Sequence, residues 1–402
     1  MEVPEHITRT TYLERVRPYI GKPVIKVLVG QRRVGKSYLL FQIMAYLTRT
    51  HRRPRLIYVN RELHEFAAIG THTDLVNHVM REAGKARLAF VLVDEVQEIE
   101  GFEKALRSLL ADGRFDVYCT GSNAKLLSGE LATLLAGRAV QIRVHPLSYL
   151  EFLEFHKLQN TDAALKQYIR YGGLPSLPHI GLDEFITGDY LRNIYDAILF
   201  RDIVARHTIR NVPFLEQLVR YLAEHVGSLV SAKRVSDFLK SQRVSVSTNV
   251  VLAYIGYLCD AFFLNRARRY DIPGRRQFEI GDKFYFEDIG LRHGIIGYDQ
   301  AHIGRILENL VYNHLRVCGY DVFVGKVADK EVDFVALRGE RRLYVQFAYL
   351  IPDEATHARE YAPLLAIADN HPKIVVTMDP AAGGAHQGIP NMHIRQFLSQ
   401  NW

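Results

Sequence analysis

Five mainly apolar runs occur in the first 150 residues, separated by stretches long enough to form helices. The runs lie at residues 24–29, 55–60, 90–95, 116–120 and 140–144. Apolar side chains occupy both alternating sets of positions in these runs, which is typical of strands buried on both faces of a parallel sheet. Such a doubly wound α/β sheet binds its ligand at the carboxyl ends of the strands. We therefore expect functional residues directly after these runs.

A phosphate-binding loop pattern, G-x-x-x-x-G-K-S, follows the first run and precedes a predicted helix. A strand, a glycine turn and a helix start direct backbone N–H groups toward one point, where the helix dipole also favours an anion. Lys36 is expected to reach the β- and γ-phosphates of a nucleoside triphosphate, and Ser37 to bind Mg²⁺. The predicted nucleotide-binding residues are Gly30, Gln31, Arg32, Arg33, Val34, Gly35, Lys36, Ser37 and Tyr38.

Two acids end the third run, and polar residues end the fourth. Asp94 is predicted to hold Mg²⁺ together with Ser37, and Glu95 to orient and polarise the attacking water. The alternative is that both acids only enter a solvated turn. Asn123 or Ser122 is predicted to sense the γ-phosphate, unless the two residues only shape the turn after the strand.

From residue 147 onward the apolar positions first follow helical spacing, with a Gly-Gly-Leu-Pro break at 172–175 that suggests a hinge. Helices are then predicted at 214–225, 232–240 and 248–259, followed by a hairpin over 262–280. The remaining predicted elements are a helix at 303–317, strands at 321–324, 331–337 and 343–350, a helix at 353–368 and a strand at 373–377.

Composition and charge narrow the class of protein. The 402 residues are 48% hydrophobic and 24% charged, which is typical of a globular chain of two or three domains. A net charge of +7 makes a polyanionic partner plausible. Three widely spaced cysteines suggest reduced thiols, and neither a signal peptide nor an apolar run of membrane-spanning length is evident. We expect a cytoplasmic protein with no membrane partner.

Five motifs resemble those of a large prokaryotic AAA-type ATPase family whose loop reads G-x-R-R-x-G-K-[ST]. They lie at residues 30–37, 93–97, 120–123, 135–138 and 171–175. The resemblance implies ATP as the nucleotide, a helical lid, and a second half made of a winged helix and a restriction-endonuclease-like fold. The predicted domains are an ATPase core at 1–146, a lid at 147–207, a winged helix at 208–290 and a nuclease-like domain at 291–402.

Arginines near the loop are candidates for groups that stabilise charge on the γ-phosphate. Arg138 is the leading candidate for an arginine finger, acting in its own subunit or in a neighbouring one, and a structural salt bridge is the alternative. We expect a homo-oligomer in the ATP state, because a finger in a neighbouring subunit requires one. Arg32 and Arg33 either contact nucleotide and an acid or lie in solvent.

The second half carries two further sets of candidates. Five arginines of the predicted hairpin, which suit a DNA backbone or form a solvated packing module, are Arg266, Arg268, Arg269, Arg275 and Arg276. Asp333 and Gln346 have the separation of nuclease metal ligands, and Glu308 lies on the preceding helix. Ala348 stands where such nucleases have a lysine, so we expect no DNA cleavage unless Lys330 substitutes for it.

The main hypothesis is a Mg²⁺-dependent ATPase that couples ATP hydrolysis to movement of a C-terminal module that binds DNA or protein. One alternative is a slow nucleotide-dependent switch or assembly scaffold with little turnover. A further alternative is an ATP-controlled nuclease that uses Glu308, Asp333 and Gln346.

Overall fold

The computed structural model describes residues 4, 6–124, 137–241, 246–277 and 281–402. The chain divides into two compact units. Unit 1 comprises Met1–His145 and Asp260–Phe262, and unit 2 comprises Pro146–Cys259 and Phe263–Trp402. Two sets of residues named above lie outside the described part: 135–136 of the fourth family motif, and 278–280 of the predicted hairpin.

Unit 1 contains a five-stranded parallel sheet. Its strands are β1 (Ile25–Val29), β2 (Arg55–Asn60), β3 (Ala89–Asp94), β4 (Phe115–Gly121) and β5 (Ala139–Arg143). They lie in the order β2-β3-β4-β1-β5, and all adjacent pairs are parallel. The helices are α1 (Thr10–Val16), α2 (Lys36–Thr50), α3 (His72–Ala83) and α4 (Phe102–Asp112). The α/β class and the doubly wound sheet predicted from the sequence are confirmed.

The alternation of side chains along the strands builds a core on each face of this sheet. Val27 of β1 packs in the cluster that contains residues of α3 and α4, whereas its neighbour Leu28 packs in the cluster that contains residues of α1 and α2. Successive strand residues point to opposite faces. Burial on both faces explains why these strands read as continuous apolar runs rather than as alternating ones.

Unit 2 begins with helices. They are α5 (Tyr149–Phe155), α6 (Asp162–Tyr171), α7 (Leu177–Ile180) and α8 (Glu184–Ala197), followed by a π-helical segment (Ile198–Ala205). Then come α9 (Val212–Glu224), α10 (Ala232–Ser241), α11 (Thr248–Asp260) and α12 (Ile289–Ile296). A short three-stranded sheet contains β6 (Leu229–Val230), β7 (Leu264–Ala267) and β10 (Asp282–Phe286) in the order β6-β10-β7.

Close packing explains the glycine pair after α6. A Cβ atom on Gly172 would lie 2.5 Å from Asp288 Oδ1, and one on Gly173 would lie 2.5 Å from the Leu147 carbonyl oxygen. The Gly173 amide donates a hydrogen bond of 2.7 Å to Asp288 Oδ2, while Asp288 Oδ1 accepts one from Leu291 and caps α12. Lack of space beside Asp288 therefore accounts for Gly172, and lack of space beside Leu147 accounts for Gly173, while the hinge stays a prediction.

The predicted hairpin over 262–280 is confirmed only around its turn, and the predicted pairing of its first residues is wrong. β7 pairs with β10, a strand that the sequence analysis did not predict, and β8 (Arg269–Asp271) pairs with β9 (Arg276–Gln277). β8 also pairs in parallel with β11, so it belongs to a different sheet from β7. The Pro-Gly turn at 273–274 closes only the shorter β8–β9 hairpin. β10 has no local signal in the sequence, because its partner β7 lies farther away in the chain than the strands of the β8–β9 hairpin lie from each other.

The C-terminal region contains α13 (Ile303–Val317), β11 (Asp321–Val327), β12 (Lys330–Arg338), β13 (Arg341–Ala348), α14 (Glu354–Leu365) and β14 (Lys373–Thr377). It ends with β15 (Ala385–His386), β16 (Ile389–His393) and α15 (Ile394–Leu398). The eight strands of its sheet lie in the order β15-β16-β14-β13-β12-β11-β8-β9. Across the described ranges, the helices are all too short or too polar to cross a membrane.

Candidate nucleotide-binding site

Two glycines allow the loop between β1 and α2 to fold tightly. A Cβ atom on Gly30 would lie 2.2 Å from the carbonyl oxygen of Val144, so a larger residue cannot occupy this position without displacing the backbone. Gly35 adopts a left-handed conformation with φ of 91° immediately before α2. The 15-residue helix α2 therefore begins at the loop, where its N-terminal dipole favours an anion.

The Lys36 ammonium group lies within the loop. Its Nζ donates hydrogen bonds of 3.1 Å to the carbonyl oxygens of Gly30 and Gln31, and it lies 3.5 Å from Glu95 Oε1. Only 4% of Lys36 is exposed. A buried cation surrounded mainly by neutral carbonyl oxygens keeps positive charge available for an anionic ligand. The role of Lys36 at the phosphates stays a prediction that this position allows.

The other loop residues differ in their surroundings. Gln31 is completely buried, and neither atom of its amide group has a hydrogen-bond partner among the described residues. Arg33 is exposed and has a φ of 69°, whereas the charge of Arg32 acts on Glu95. Tyr38 is 49% exposed and makes an edge contact with Phe41. Polar and aromatic groups thus remain available on the loop and at the start of α2.

Arg9 is a residue of this site that the sequence analysis missed. Its guanidinium group donates hydrogen bonds of 3.0 Å to the carbonyl oxygens of Val34, in the loop, and His145, after β5. It also lies over the ring of Tyr12, and only 3% of it is exposed. Arg9 therefore ties the segment before α1 to the loop. No local pattern marks it, because its partners lie 25 and 136 positions away in the chain.

Asp94 ends β3 inside a shell of polar side chains. It accepts hydrogen bonds from the hydroxyl groups of Thr120 and Tyr58, at 2.5 and 3.1 Å, and it is hydrogen-bonded to Ser37. Burial raises the pKa of Asp94 above its ordinary value, while the hydrogen bonds from Thr120 and Ser37 oppose this rise. The predicted metal ligands Ser37 and Asp94 thus lie together.

Glu95 follows Asp94 in a left-handed conformation with φ of 49°, and this conformation redirects its side chain. The Glu95 amide donates a 2.7 Å hydrogen bond to Thr120 Oγ1, and its carboxylate accepts one from Gln97. Burial acts to raise the pKa of Glu95, but the charge of Lys36 and the Gln97 hydrogen bond outweigh burial and lower it. Glu95 is therefore ionised at neutral pH, as a group that polarises water must be.

Mg²⁺ fits these residues only if the ligand completes its coordination. Within the described ranges, no group of three or more His, Cys, Asp or Glu side chains could hold a metal ion. Protein sites for Mg²⁺ with substrate phosphates commonly use one or two protein oxygens and fill the remaining positions with phosphate and water. The Ser37 hydroxyl and the Asp94 carboxylate are such a pair.

The remaining predicted residues lie at opposite ends of the parallel strands. Asn123 and Ser122 are buried directly after β4, at the edge where the loop begins. Arg138 precedes β5, and its carbonyl oxygen accepts a hydrogen bond from Ile25, the first residue of β1. The loop follows the last residue of β1, so the length of a strand separates the Arg138 backbone from it. The structure does not fit Arg138 as a finger for the loop of its own chain.

The acids predicted in the C-terminal region lie close together. Phe347 donates a backbone hydrogen bond of 2.9 Å to Asp333, and Asp333 donates one of 3.3 Å to the Gln346 side chain. Glu308 lies 3.1 Å from Lys283 of β10, which the sequence analysis did not single out. The predicted substitute lysine, Lys330, is exposed at the first position of β12, and Ala348 is buried at the end of β13.

The five arginines of the predicted hairpin, which we call the wing, are mostly exposed. Arg269 alone among them is half-buried. Arg266 forms an ion pair with Asp282 at 3.3 Å, and Arg276 forms one with Asp271 at 3.5 Å. These acids neutralise part of the positive charge. The surface remains basic, because Arg268 and Arg275 add two more exposed guanidinium groups.

Comparisons with known proteins agree with this geometry. The sequence profile of an AAA domain matches residues 22–153, and that of a domain of unknown function matches residues 162–302. An uncharacterized protein of Haemophilus influenzae is 37% identical over 400 residues, which are 98% of this chain and 99% of that protein. This chain belongs to the P-loop AAA-type ATPase family.

One further relative and one solved structure are similar to this chain. An uncharacterized protein of Methanocaldococcus jannaschii is 31% identical over 352 residues, covering 84% of this AAA-type chain and 77% of that protein. The Walker-type ATPase of Pyrococcus abyssi has a TM-score of 0.51 at 15% identity and covers 72% of this chain and 96% of its own. At that identity, the likeness to the P. abyssi protein shows the fold alone.

Proposed function

We propose that this AAA-type chain binds ATP with Mg²⁺, hydrolyses it, and uses the nucleotide state to move a C-terminal module that binds DNA or protein. One observation carries the proposal: Lys36, Asp94 and Glu95 converge at the carboxyl edge of the sheet beside a glycine loop. Phosphoryl transfer to water requires a positive charge, a metal ligand and a base, which Lys36, Asp94 and Glu95 would supply in that order.

Each group has a distinct part in this proposal. The Lys36 ammonium and the N-terminus of α2 bind the phosphate oxygens, while Ser37 and Asp94 hold Mg²⁺. The metal ion supplies positive charge that offsets the charge on the transferred phosphoryl group. Glu95 orients water and accepts its proton, and Asn123 donates a hydrogen bond near the γ-phosphate. Arg138 is proposed to act on the site of a neighbouring subunit, since it lies at the end of the strands opposite to the loop of its own chain.

The test is ATP turnover and ATP binding in two variants. Lys36→Ala is expected to abolish binding or turnover, because it removes the only lysine ammonium held by the loop among the described residues. Glu95→Gln is expected to keep ATP binding but lose turnover by about 10²-fold or more, because Asp94 still holds the metal while the base is lost. The exposed Lys85→Ala variant is the control and should match the wild type.

Two results would contradict these roles. Unchanged ATP affinity and turnover in Lys36→Ala would remove the basis of the proposal. A loss of metal binding in Glu95→Gln, with a loss of hydrolysis alone in Asp94→Asn, would mean that the two acids have exchanged roles.

A slow nucleotide-dependent switch is the second candidate, and one observation favours it. The Glu95 carboxylate already accepts a hydrogen bond from Gln97 and lies near Lys36, so these partners restrain how it can orient water. If the wild type hydrolyses ATP slowly and Gln97→Ala hydrolyses it faster, the result would support a switch restrained in this way. Rapid turnover by the wild type would leave the ATPase that drives movement as the better description.

A further inference from the structure

A buried lysine lies at the centre of the C-terminal acidic cluster. Lys283 Nζ is 3.0 Å from Glu331 Oε1, 3.1 Å from Glu308 Oε1 and 3.8 Å from Asp333 Oδ1. Only 7% of the Lys283 side chain is exposed. The three carboxylates come from two elements, since Glu308 lies on α13 and the other two lie on β12. One ammonium group is thus the common partner of all three acids.

The strand that carries Lys283 fixes its position. Tyr285, two residues further along β10, points to the same face and donates a 2.7 Å hydrogen bond to Glu308 Oε1. The ring of Tyr285 stacks on Tyr312 of α13, with ring centroids 4.3 Å apart. Asn309 of α13 accepts a 2.9 Å hydrogen bond from the Phe286 amide and donates another to the Phe286 carbonyl oxygen. Contacts on both sides therefore hold the ammonium group among the acids.

The charges explain why the lysine is needed. Burial raises the pKa of Asp333 to about 7, and Lys283 opposes that rise. Burial acts to lower the pKa of Lys283, but Glu308, Asp333 and Glu331 together raise it above its ordinary value. Without a cation at this point, buried carboxylates would repel each other and lose their hydration.

We propose that Lys283 is a tethered cation that occupies the position of a divalent metal ion in this cluster, so that the C-terminal domain binds no metal there. The ammonium group satisfies the same oxygen atoms that would otherwise attract Mg²⁺ or Mn²⁺. A lysine cannot activate water as a metal ion does, and no DNA cleavage is expected. The proposal does not depend on the proposed ATPase activity.

Direct Mn²⁺ binding without nucleotide tests the proposal. The wild type is expected to bind no Mn²⁺ at this cluster, whereas Lys283→Met, which removes the charge but keeps the length, should bind about one ion per chain there. Without metal, Lys283→Met should unfold roughly 10 °C below the wild type, because its buried acids lack a partner. Millimolar Mn²⁺ should recover at least about half of that loss.

The triple variant Lys283→Met/Glu308→Gln/Asp333→Asn is the matched control. With fewer charges to neutralise, it should unfold near the wild-type temperature and show no Mn²⁺ response. If Lys283→Met does not fold even with Mn²⁺, the triple variant decides: folding supports the proposal and failure to fold overturns it. Mn²⁺ binding or DNA cleavage by the wild type that Asp333→Asn abolishes would also overturn it, as would a folded Lys283→Met variant that ignores Mn²⁺.

Discussion

Replacing Arg9 with methionine tests whether the segment before α1 holds the phosphate-binding loop. Methionine fills a similar volume but cannot donate the two hydrogen bonds to Val34 and His145. Both carbonyl oxygens would lose a charged donor at a place where only 3% of Arg9 is exposed. The loop would lose its contact with the segment before α1.

The expected cost follows from these two bonds. A hydrogen bond to a charged group contributes about 1.5–3 kcal/mol, so the pair predicts a loss of about 3–6 kcal/mol in the free energy of unfolding. A less ordered loop should also bind ATP more weakly, by roughly tenfold, which corresponds to about 1.4 kcal/mol. Arg9→Lys keeps the charge but not the planar guanidinium group whose Nη1 donates both bonds, and it should show an intermediate loss.

The assay uses the thiol of Cys119, which lies in the core of unit 1. Only 1% of Cys119 is exposed, and burial raises its pKa to about 12, so it reacts with thiol reagents only when unit 1 opens. With Cys259 and Cys318 replaced by serine, labelling against urea concentration reports the stability of unit 1. Binding of a fluorescent ATP analogue gives the affinity.

The control is Arg49→Met, which removes an exposed arginine of α2 and should change the free energy of unfolding by less than about 0.5 kcal/mol. If Arg9→Met matched Arg49→Met in both measurements, the inference that Arg9 holds the loop would be wrong. A loss of stability without a loss of ATP affinity would restrict Arg9 to a structural role.

Three further predictions concern unit 2. Replacing all five wing arginines with alanine should weaken any DNA binding and flatten its salt dependence, and a wild type without DNA affinity at low salt would leave the wing as a packing element. Burial and then the charge of Arg292 lower the pKa of His293 to about 3, so the stability that neutral His293 contributes is complete above pH 6.5 and is lost as the pH falls toward 3. At pH 5 the loss is about 2 kcal/mol, which denaturant unfolding should show as a smaller acid effect in His293→Gln. Gly172→Ala should cost about 2–4 kcal/mol more than Gly181→Ala, since both glycines have φ near +80° but only a Cβ atom on Gly172 meets Asp288; equal costs would refute the packing explanation.

Local patterns predicted the elements that carry the candidate site. β1, the loop and α2 are contiguous, and Asp94 directly ends an apolar strand, so both could be located from the sequence. Helix α13 and strand β14 have the predicted bounds, because α13 has a strong helical spacing of apolar residues and β14 is a continuous apolar run. The correct predictions rest on interactions between residues that are close in the chain.

The errors arose where the interactions join residues that lie far apart in the chain. β10 was missed because its pairing with β7 depends on residues about 20 positions apart and skips the nearer β8–β9 hairpin. Arg9 and Lys283 were missed because a lone basic residue in a sequence does not reveal which distant carbonyl or carboxylate groups will surround it. The edge of the sheet at which Arg138 lies also became clear only from the parallel register of β1 and β5.

Lys36 and Lys283 show how surroundings decide what a buried lysine can do. Lys36 faces two neutral carbonyl oxygens and one carboxylate at 3.5 Å, so much of its charge remains available for an anionic ligand. Lys283 faces three carboxylates within 4 Å, and those acids neutralise its charge. A phosphate would gain at the first site and would meet net negative charge at the second. The same side chain therefore favours nucleotide binding at the carboxyl edge of unit 1 and closes the acidic cluster of unit 2 to both anions and metal ions.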